Sequence, residues 1–128
     1  MSVARALTAA FALSLLPLTA AAQDITRVPL QAYRVPGVAT DVITVLSELL
    51  PDRTTGRHTH PGVEMTYVTE GEIVLKIDGQ AERVVKAGES YLVESGVAHE
   101  IVAGPSKNAK IVITFVVARG QLVTTTLP

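Results

Sequence analysis

Hydrophobic and polar residues alternate along much of the chain, in short runs that turn-forming residues interrupt. The run at residues 110–118 has Ile111, Ile113 and Phe115 on one side, with Val and Thr residues between them. Residues 72–77 alternate in the same way. A period of two places successive side chains on opposite faces of a β-strand. Both runs therefore predict strands with one buried face.

Other runs rich in Val, Ile, Thr and Tyr predict further strands, separated by Gly, Pro, Asp and Asn. They lie at residues 64–69, 80–85, 90–93, 99–103 and 121–125, after an extended arm at 24–34. The apolar spacing at 41–50 also fits a helix, but its β-branched content and the following Pro51 favour a strand. No segment after residue 22 combines helix caps with a sustained helical period. We therefore predict an all-β fold, an antiparallel β-barrel closed on itself.

Two connections between these strands carry specific expectations. Asp78-Gly79 predicts a two-residue type I′ hairpin, a turn that needs a positive φ at both of its central positions. Residues 52–61 are polar and rich in turn formers, so we expect an irregular connection there.

The first 22 residues have the pattern of a secretory signal peptide. Arg5 supplies a positive charge, an apolar run follows at residues 6–16, and small residues precede a predicted cleavage after Ala22. An uncleaved membrane anchor is the alternative, although the apolar run is short for a bilayer. We expect an exported protein, periplasmic or secreted, with no membrane span after cleavage and one domain at residues 23–128.

Charge and composition exclude several classes of function. The formal net charge is −1 with both signs interspersed, and there is no Trp, so neither a basic patch nor a stacking platform for nucleic acid is expected. The chain has no cysteine. Disulfides, a thiolate nucleophile and a cysteine-type zinc site are therefore all excluded.

The candidate chemistry lies in the segment from residue 57 to residue 72. His58 and His60 are two apart, which places both rings on one face of a strand, and Glu64 follows. The third histidine, His99, opens a later predicted strand. Imidazole and carboxylate are ligands that divalent first-row metals accept. A histidine pair on a polar loop is more often solvated, however, so a plain polar turn stays open on these residues alone.

The surrounding spacing resembles the first motif of the cupin superfamily, G-x5-H-x-H-x3-4-E-x6-G. His58, His60, Glu64 and Gly71 fall in register with this motif, while its leading glycine is replaced by Asp52.

The second cupin motif, G-x5-P-x-G-x2-H-x3-N, is matched by Gly88, Gly96 and His99. Glu94 replaces its proline and Ala103 its asparagine. All three histidines of the chain thus occupy motif positions, and neither departure removes a ligand.

This resemblance implies a jelly-roll barrel, the double-stranded β-helix, with one divalent transition metal ion inside: Mn, Fe, Ni, Cu or Zn. It implies His58, His60, Glu64 and His99 as the ligands, and it leaves open whether Glu64 binds the metal or swings free as a catalytic base. Vacant metal positions would make the protein a metal-dependent enzyme, a quercetinase-like dioxygenase or a lyase, acting on a small oxygen-rich or anionic molecule. The alternative is a non-catalytic periplasmic cupin that binds a small ligand or stores metal.

Sugar or lactone isomerisation is a lower-ranked reading, because it needs a second base and only Tyr67 and Tyr91 offer one. For both tyrosines, packing is the commoner role. Met65 and Phe115 are expected in the core, with the wall of a pocket as the alternative. Arg53 and Arg57 lie beside the first ligands and could clamp an anion, although a solvated surface position is commoner.

The family resemblance also implies a homodimer, since cupins often pair sheet faces or exchange an N-terminal strand. The apolar segment 41–50 and the arm 24–36 could serve this purpose. The same residues could instead complete the barrel of one copy.

Overall fold

The computed structural model describes residues 24–128, so the predicted signal peptide at residues 1–22 lies outside the described residues. The described part is built from strands alone, and none of its elements is a helix long and apolar enough to cross a membrane. The strands are β1 (Ile25–Arg34), β2 (Thr40–Leu49), β3 (His58–Thr59), β4 (Gly62–Glu70), β5 (Glu72–Ile77), β6 (Arg83–Lys86), β7 (Ser90–Val93), β8 (His99–Ala103), β9 (Ala109–Ala118) and β10 (Thr125–Thr126).

The strands form two five-stranded antiparallel sheets, with the orders β1-β2-β9-β4-β7 and β10-β3-β8-β5-β6. The inner faces of the two sheets share one hydrophobic core. This is the arrangement of a jelly-roll barrel, so the all-β prediction is confirmed. The ambiguous segment at 41–50 is a strand, β2, which pairs along its whole length with β9.

The core follows the predicted alternation of side chains. On β9, buried residues alternate with half-buried ones from Ala109 to Ala118, and Ile111, Ile113 and Phe115 all face the core. On β5, the buried positions include Ile73. Strand periodicity therefore fixes the faces of the central strands correctly.

The predicted hairpin at Asp78-Gly79 is present, because β5 and β6 pair antiparallel on either side of it, but its two-residue type I′ turn is wrong. Gly79 has a φ of +78°, but Asp78 is absent from the described residues with positive φ, and the return strand begins only at Arg83. A positive φ at the second central position alone is the pattern of a type II turn. The Asp78 carboxylate instead pairs with Arg57, which ties this turn to the polar segment before β3.

Two further errors lie at strand ends. The predicted last strand at 121–125 is only the two-residue strand β10, Thr125–Thr126. The polar segment at 52–61 contains a short strand, β3, at its end. Both short strands pair with strands that are distant in the sequence, and the periodicity within one segment does not predict such pairing.

Two glycines allow close contacts on either side of β4. A Cβ at Gly62 would lie 2.0 Å from the carbonyl oxygen of Val116, so only glycine lets the start of β4 approach β9 this closely. Gly71, between β4 and β5, has a φ of +72°, and a Cβ there would lie 2.5 Å from the carbonyl oxygen of Asn108. These contacts hold β4, which carries Glu64, firmly against β9.

Candidate metal centre

The three histidines converge in the interior between the sheets. His58 on β3 lies directly opposite His99 on β8 in the strand register, with ring centroids 4.3 Å apart. His60 follows β3 immediately, and its ring lies 4.8 Å from that of His58. All three side chains are buried. The turn at Pro61 and Gly62 then carries the chain into the other sheet.

Glu64 reaches the same point from the opposite sheet. It lies on the inner face of β4, where Glu64, Thr66 and Val68 alternate with exposed residues. Its Oε2 atom lies 2.8 Å from Nε2 of His60 and 3.0 Å from Nε2 of His99. The structure therefore brings together all four residues that the motif comparison singled out.

Backbone carbonyls fix the orientation of each histidine ring. The Nδ1 atoms donate to carbonyl oxygens as follows: His58 to Gly56 at 2.7 Å, His60 to Val123 at 2.6 Å, and His99 to Val97 at 3.0 Å. A carbonyl oxygen can only accept a hydrogen bond, so each Nδ1 carries the proton. In the neutral ring, every Nε2 atom therefore presents a lone pair to the centre of the cluster.

In this arrangement, hydrogen-bond acceptors face one another. In the neutral rings, Nε2 of His60 and of His99 both face the Oε2 acceptor of Glu64 at contact distance. Although His60 Nε2 is only 2.8 Å from that oxygen, the alignment is not that of a hydrogen bond, and the buried atom has no hydrogen-bond partner among the described residues. A proton or a cation between these atoms is required to make such contacts favourable.

Two hydroxyl groups hold the other oxygen of Glu64. Thr66 Oγ1 and the Tyr91 hydroxyl each donate to Glu64 Oε1 at 2.8 Å. Thr66 lies two residues after Glu64 on the same face of β4, and Tyr91 is its direct partner on β7. These two donors direct Oε2 towards the histidines. The sequence analysis missed Thr66, although its i, i+2 spacing from Glu64 is the signal that identifies it.

The charges of the cluster shift its pKa values in both directions. Burial acts to raise the pKa of Glu64, but the contacts with His60 and His99 outweigh it and hold that pKa well below the usual range. Burial acts to lower the pKa of His99, but the hydrogen bonds to Glu64 and Val97 outweigh it and raise that pKa. The pKa of His58 is lowered, mainly by burial. Burial and then the charge of Glu64 raise the pKa of Tyr91 well above that of an ordinary phenol. Tyr91 therefore keeps its proton and acts as a donor.

The four side chains fit a single metal ion. One ligand atom from each residue lies within 4.8 Å of the others. Ligand atoms bound to one ion at about 2.0–2.2 Å lie roughly 3–4.4 Å apart, so only a small contraction is needed. The donor set consists of three imidazole nitrogens and one carboxylate oxygen, which suits first-row divalent metals. The hydrogen bonds from each Nδ1 atom fix the orientation of the imidazole rings.

A comparison with protein families decides the family. The family model described as "Cupin domain" matches residues 45–118, which is more than half of the chain. The chain belongs to the cupin family. The matched region contains all four clustered residues and the strands that carry them.

This cupin is similar to a regulator, to an enzyme and to an uncharacterised protein of the same fold. The curated HTH-type transcriptional regulator PuuR of Escherichia coli is 50% identical over 50 residues, which is 38% of this chain and 26% of the regulator. A solved oxalate oxidase in complex with the substrate analogue glycolate is 25% identical at a TM-score of 0.60, over 68% of this chain and 46% of that one. An uncharacterised double-stranded β-helix protein from Klebsiella pneumoniae covers 83% of this chain and 81% of its own, with a TM-score of 0.66 and 18% identity. The chain thus spans about a quarter of the regulator and less than half of the oxidase.

A small cavity adjoins the four residues in this cupin. It measures ≈ 60 Å³, and the ring of Phe115 closes one side at a centroid distance of 4.7 Å from the ring of His60. An ordered water needs about 10–15 Å³, so the cavity has room for a small ligand beside the four residues. Its wall also includes Arg27 on β1, a residue that the sequence analysis did not consider.

The two candidate tyrosines lie in different environments. Tyr91 is buried with its hydroxyl at Glu64, whereas Tyr67 is 49% exposed on the outer face of β4. Neither is suited to be the second base of an isomerase, because Tyr67 faces away and the pKa of Tyr91 is raised. Met65 is also on the outer face at 42% exposure, so its expected core position is wrong.

The arginines beside the first motif lie on the surface. Arg53 pairs with Asp24 at 3.2 Å, and Arg57 pairs with Asp78, all with well-exposed side chains. Neither Arg53 nor Arg57 lines the cavity. They take the solvated role that is commoner for arginine, and any cation that meets an anion in the cavity must come from elsewhere.

Proposed function

We propose that this cupin binds one divalent transition metal ion through Nε2 of His58, His60 and His99 and through Glu64, and that it is a metal-dependent enzyme acting on a small oxygen-rich or anionic molecule. One observation carries the metal proposal. The buried Nε2 atoms of His60 and His99 face one carboxylate oxygen at 2.8 and 3.0 Å. A cation at this point would bond to all three atoms.

Within this proposal Glu64 is a ligand through Oε2. Its other oxygen is engaged by Thr66 and Tyr91, and the chain around it is held by β9. A carboxylate whose pKa lies well below its ordinary range is also a weak general base. The role of Glu64 as a catalytic base, an alternative that the motif left open, therefore has less support than its role as a ligand.

The chemistry of the proposed site follows from its wall. A bound divalent ion would polarise a substrate oxygen and stabilise negative charge on it. Tyr91 and Thr66 hold the carboxylate in place, while Phe115 and Ile113 supply an apolar wall. Neutral imidazoles and one carboxylate leave a divalent ion with net positive charge, which favours an anionic substrate.

Dioxygenase-like chemistry is the leading form of this proposal, with lyase chemistry second. The similarity to an oxalate oxidase at 25% identity supports a small acid as the substrate class. The cavity volume of ≈ 60 Å³ supports the same class over flavonols, which are several times larger.

The proposal is tested on protein stripped of metal and reloaded separately with Mn, Fe, Ni, Cu and Zn. Oxygen uptake and substrate loss are followed with oxalate, glycolate, catechol and a flavonol. We expect turnover of a small acid with at least one metal, and none in the variant His99→Ala. The matched control is Glu100→Gln, the next residue along β8, whose side chain pairs with Lys76 instead. Absence of turnover with every metal and substrate would contradict the enzymatic proposal.

A non-catalytic binding protein is the second candidate function. The specific observation that favours it is the 50% identity to a transcriptional regulator over 50 residues. The described residues 24–128 hold strands and no helix, so they would correspond to a ligand-binding part of such a protein. Saturable binding of a small acid to the metal-loaded protein, with no product formed, would favour this candidate over an enzyme.

We also propose export and dimerisation. The pattern of residues 1–22 supports a signal peptide, and N-terminal sequencing of the protein from its native host should then begin at Gln23. The outer face of the β1-β2-β9-β4-β7 sheet supports a homodimer. On that face, an apolar row runs in register across four strands: Val28, Leu46, Val112 and Tyr67.

A further inference from the structure

The cavity beside the four clustered residues has one permanently charged cation in its wall. This is Arg27, on the edge strand β1. Glu64 is the one carboxylate that lines the same cavity, and its oxygens are engaged by the histidines and by two hydroxyls. Among residues 24–128, no carboxylate lies within ion-pairing distance of Arg27.

The strand register explains how Arg27 reaches the cavity. Arg27 lies directly opposite Ser47 of β2, and opposite residues in an antiparallel pair project from the same face. Ser47 is 2% exposed and faces the interior, so Arg27 leaves β1 on the inner side of the sheet. Its neighbour Val28 projects to the outer face with Leu46.

Exposure places Arg27 at the solvent end of the cavity. The four clustered side chains are all buried, whereas Arg27 is exposed and still lines the same space. A ligand that enters would meet the guanidinium before it reaches the histidines. By contrast, Arg34, Arg53 and Arg57 are engaged by Asp41, Asp24 and Asp78.

We propose that Arg27 binds the carboxylate of the substrate and selects small acids that carry a second oxygen function on the adjacent carbon. This inference rests on the proposed function, because the second oxygen is taken to face the metal ligands. Guanidinium is suited to this role because its planar fork forms two parallel hydrogen bonds to a carboxylate. The small cavity favours an acid of a few carbon atoms.

The test uses zinc-loaded full-length protein, since zinc is redox-inert and binding is then measured without turnover. Calorimetry compares glycolate with glycolamide, a ligand of the same size and without charge. We expect Arg27→Gln to weaken glycolate binding by about ten- to a hundredfold and to leave glycolamide within about twofold, because one charge-assisted contact is lost. Arg27→Lys, which keeps the charge and loses the fork, should fall between wild type and Arg27→Gln.

The matched control is Arg34→Gln on the same strand, which should bind both ligands like wild type. Zinc content is measured for every variant and should stay at one ion per chain. Equal loss of glycolate and glycolamide, or no loss of either, in zinc-loaded Arg27→Gln would overturn this inference and leave the metal proposal intact. A wild-type protein that binds no zinc or other metal would overturn the proposed function, and this inference with it.

Discussion

His58 and His99 lie directly opposite each other on neighbouring strands, and each ring donates from Nδ1 to the carbonyl two residues before it, Gly56 and Val97. The two strands therefore present matching imidazoles with the same tautomer. Hydrogen bonds from the ring nitrogen that does not bind the metal fix the orientation of the ring and increase the basicity of the ligand. The pair is half of a preorganised donor set, and Glu64 and His60 complete it.

Replacement of one member of this pair should remove most metal binding. We expect His99→Ala to lower metal affinity by more than about 100-fold, since even loss of an outer contact costs about 10–100-fold. Competitive titration against a chromogenic chelator measures the affinity. Glu100→Gln, on the other side of β8, should keep the wild-type affinity. Equal affinities in His99→Ala and wild type would mean that the metal binds elsewhere.

The hydroxyl of Tyr91 should matter through Glu64. Tyr91→Phe removes one of two donors to Glu64 Oε1 and frees the carboxylate to rotate. We expect metal affinity to fall by about 10–100-fold with little change of the fold by circular dichroism. The control Tyr67→Phe makes the same chemical change on the outer face of β4 and should have no effect. If both variants bind metal like wild type, Tyr91 does not orient the ligand.

The sequence predicted those parts of the site that local spacing determines. His58, His60 and Glu64 fall within seven residues, and strand parity places them on inner faces. The same alternation along β4 also predicts that Tyr67 points away from the site. Since Glu64 faces inward, Thr66 must face inward too, and Tyr67 must face outward.

Contacts that depend on register between distant strands could not be predicted. The carbonyl that holds His60 belongs to Val123, and a carbonyl leaves no signature in the sequence. Arg27 reaches the cavity because it is opposite Ser47, a pairing that a bulge after Pro29 helps to set. The contact between the Asp78 carboxylate and Arg57 also joins two segments that are separate in the sequence.

The C-terminal segment should be required for metal retention. Val123 supplies the acceptor for His60 Nδ1 at 2.6 Å, and the Leu127 amide donates to the Arg57 carbonyl. A chain that ends at Leu122 should lose the fixed orientation of His60, and its metal should dissociate at least about tenfold faster. Stopped-flow exchange with a chelator measures this rate. Leu122→Ala, in the same segment with an exposed side chain, is the control and should exchange like wild type.

The metal-free protein should lose stability in acid through Glu64. The pKa of Glu64 lies below its ordinary value of 4.5 in the folded state, so ionisation favours folding. Its contribution is fully present above pH 4.5 and is lost as the pH falls towards the folded-state pKa. The difference in free energy of unfolding between wild type and Glu64→Gln, measured in urea without metal from pH 5 downwards, should therefore decrease as the pH falls below 4.5. A difference that grows in acid would contradict this.

The apolar outer sheet face should mediate the proposed dimer. Tyr67 and Leu92 are 49% and 52% exposed there, and Met65, two residues before Tyr67 on β4, is the direct partner of Leu92 on β7. Exposed apolar patches of this kind mark association sites, and a two-fold axis would bury the same face of both copies. Tyr67→Lys combined with Leu92→Lys should convert a dimer into a monomer by light scattering, with metal content unchanged because both side chains face away from the cavity. Val84→Lys places one positive charge on the outer face of the other sheet, where Val84 is 49% exposed, and should leave the dimer intact. Wild-type protein that is monomeric at high micromolar concentration would refute the proposal, and dissociation by Val84→Lys instead would move the interface to the second sheet.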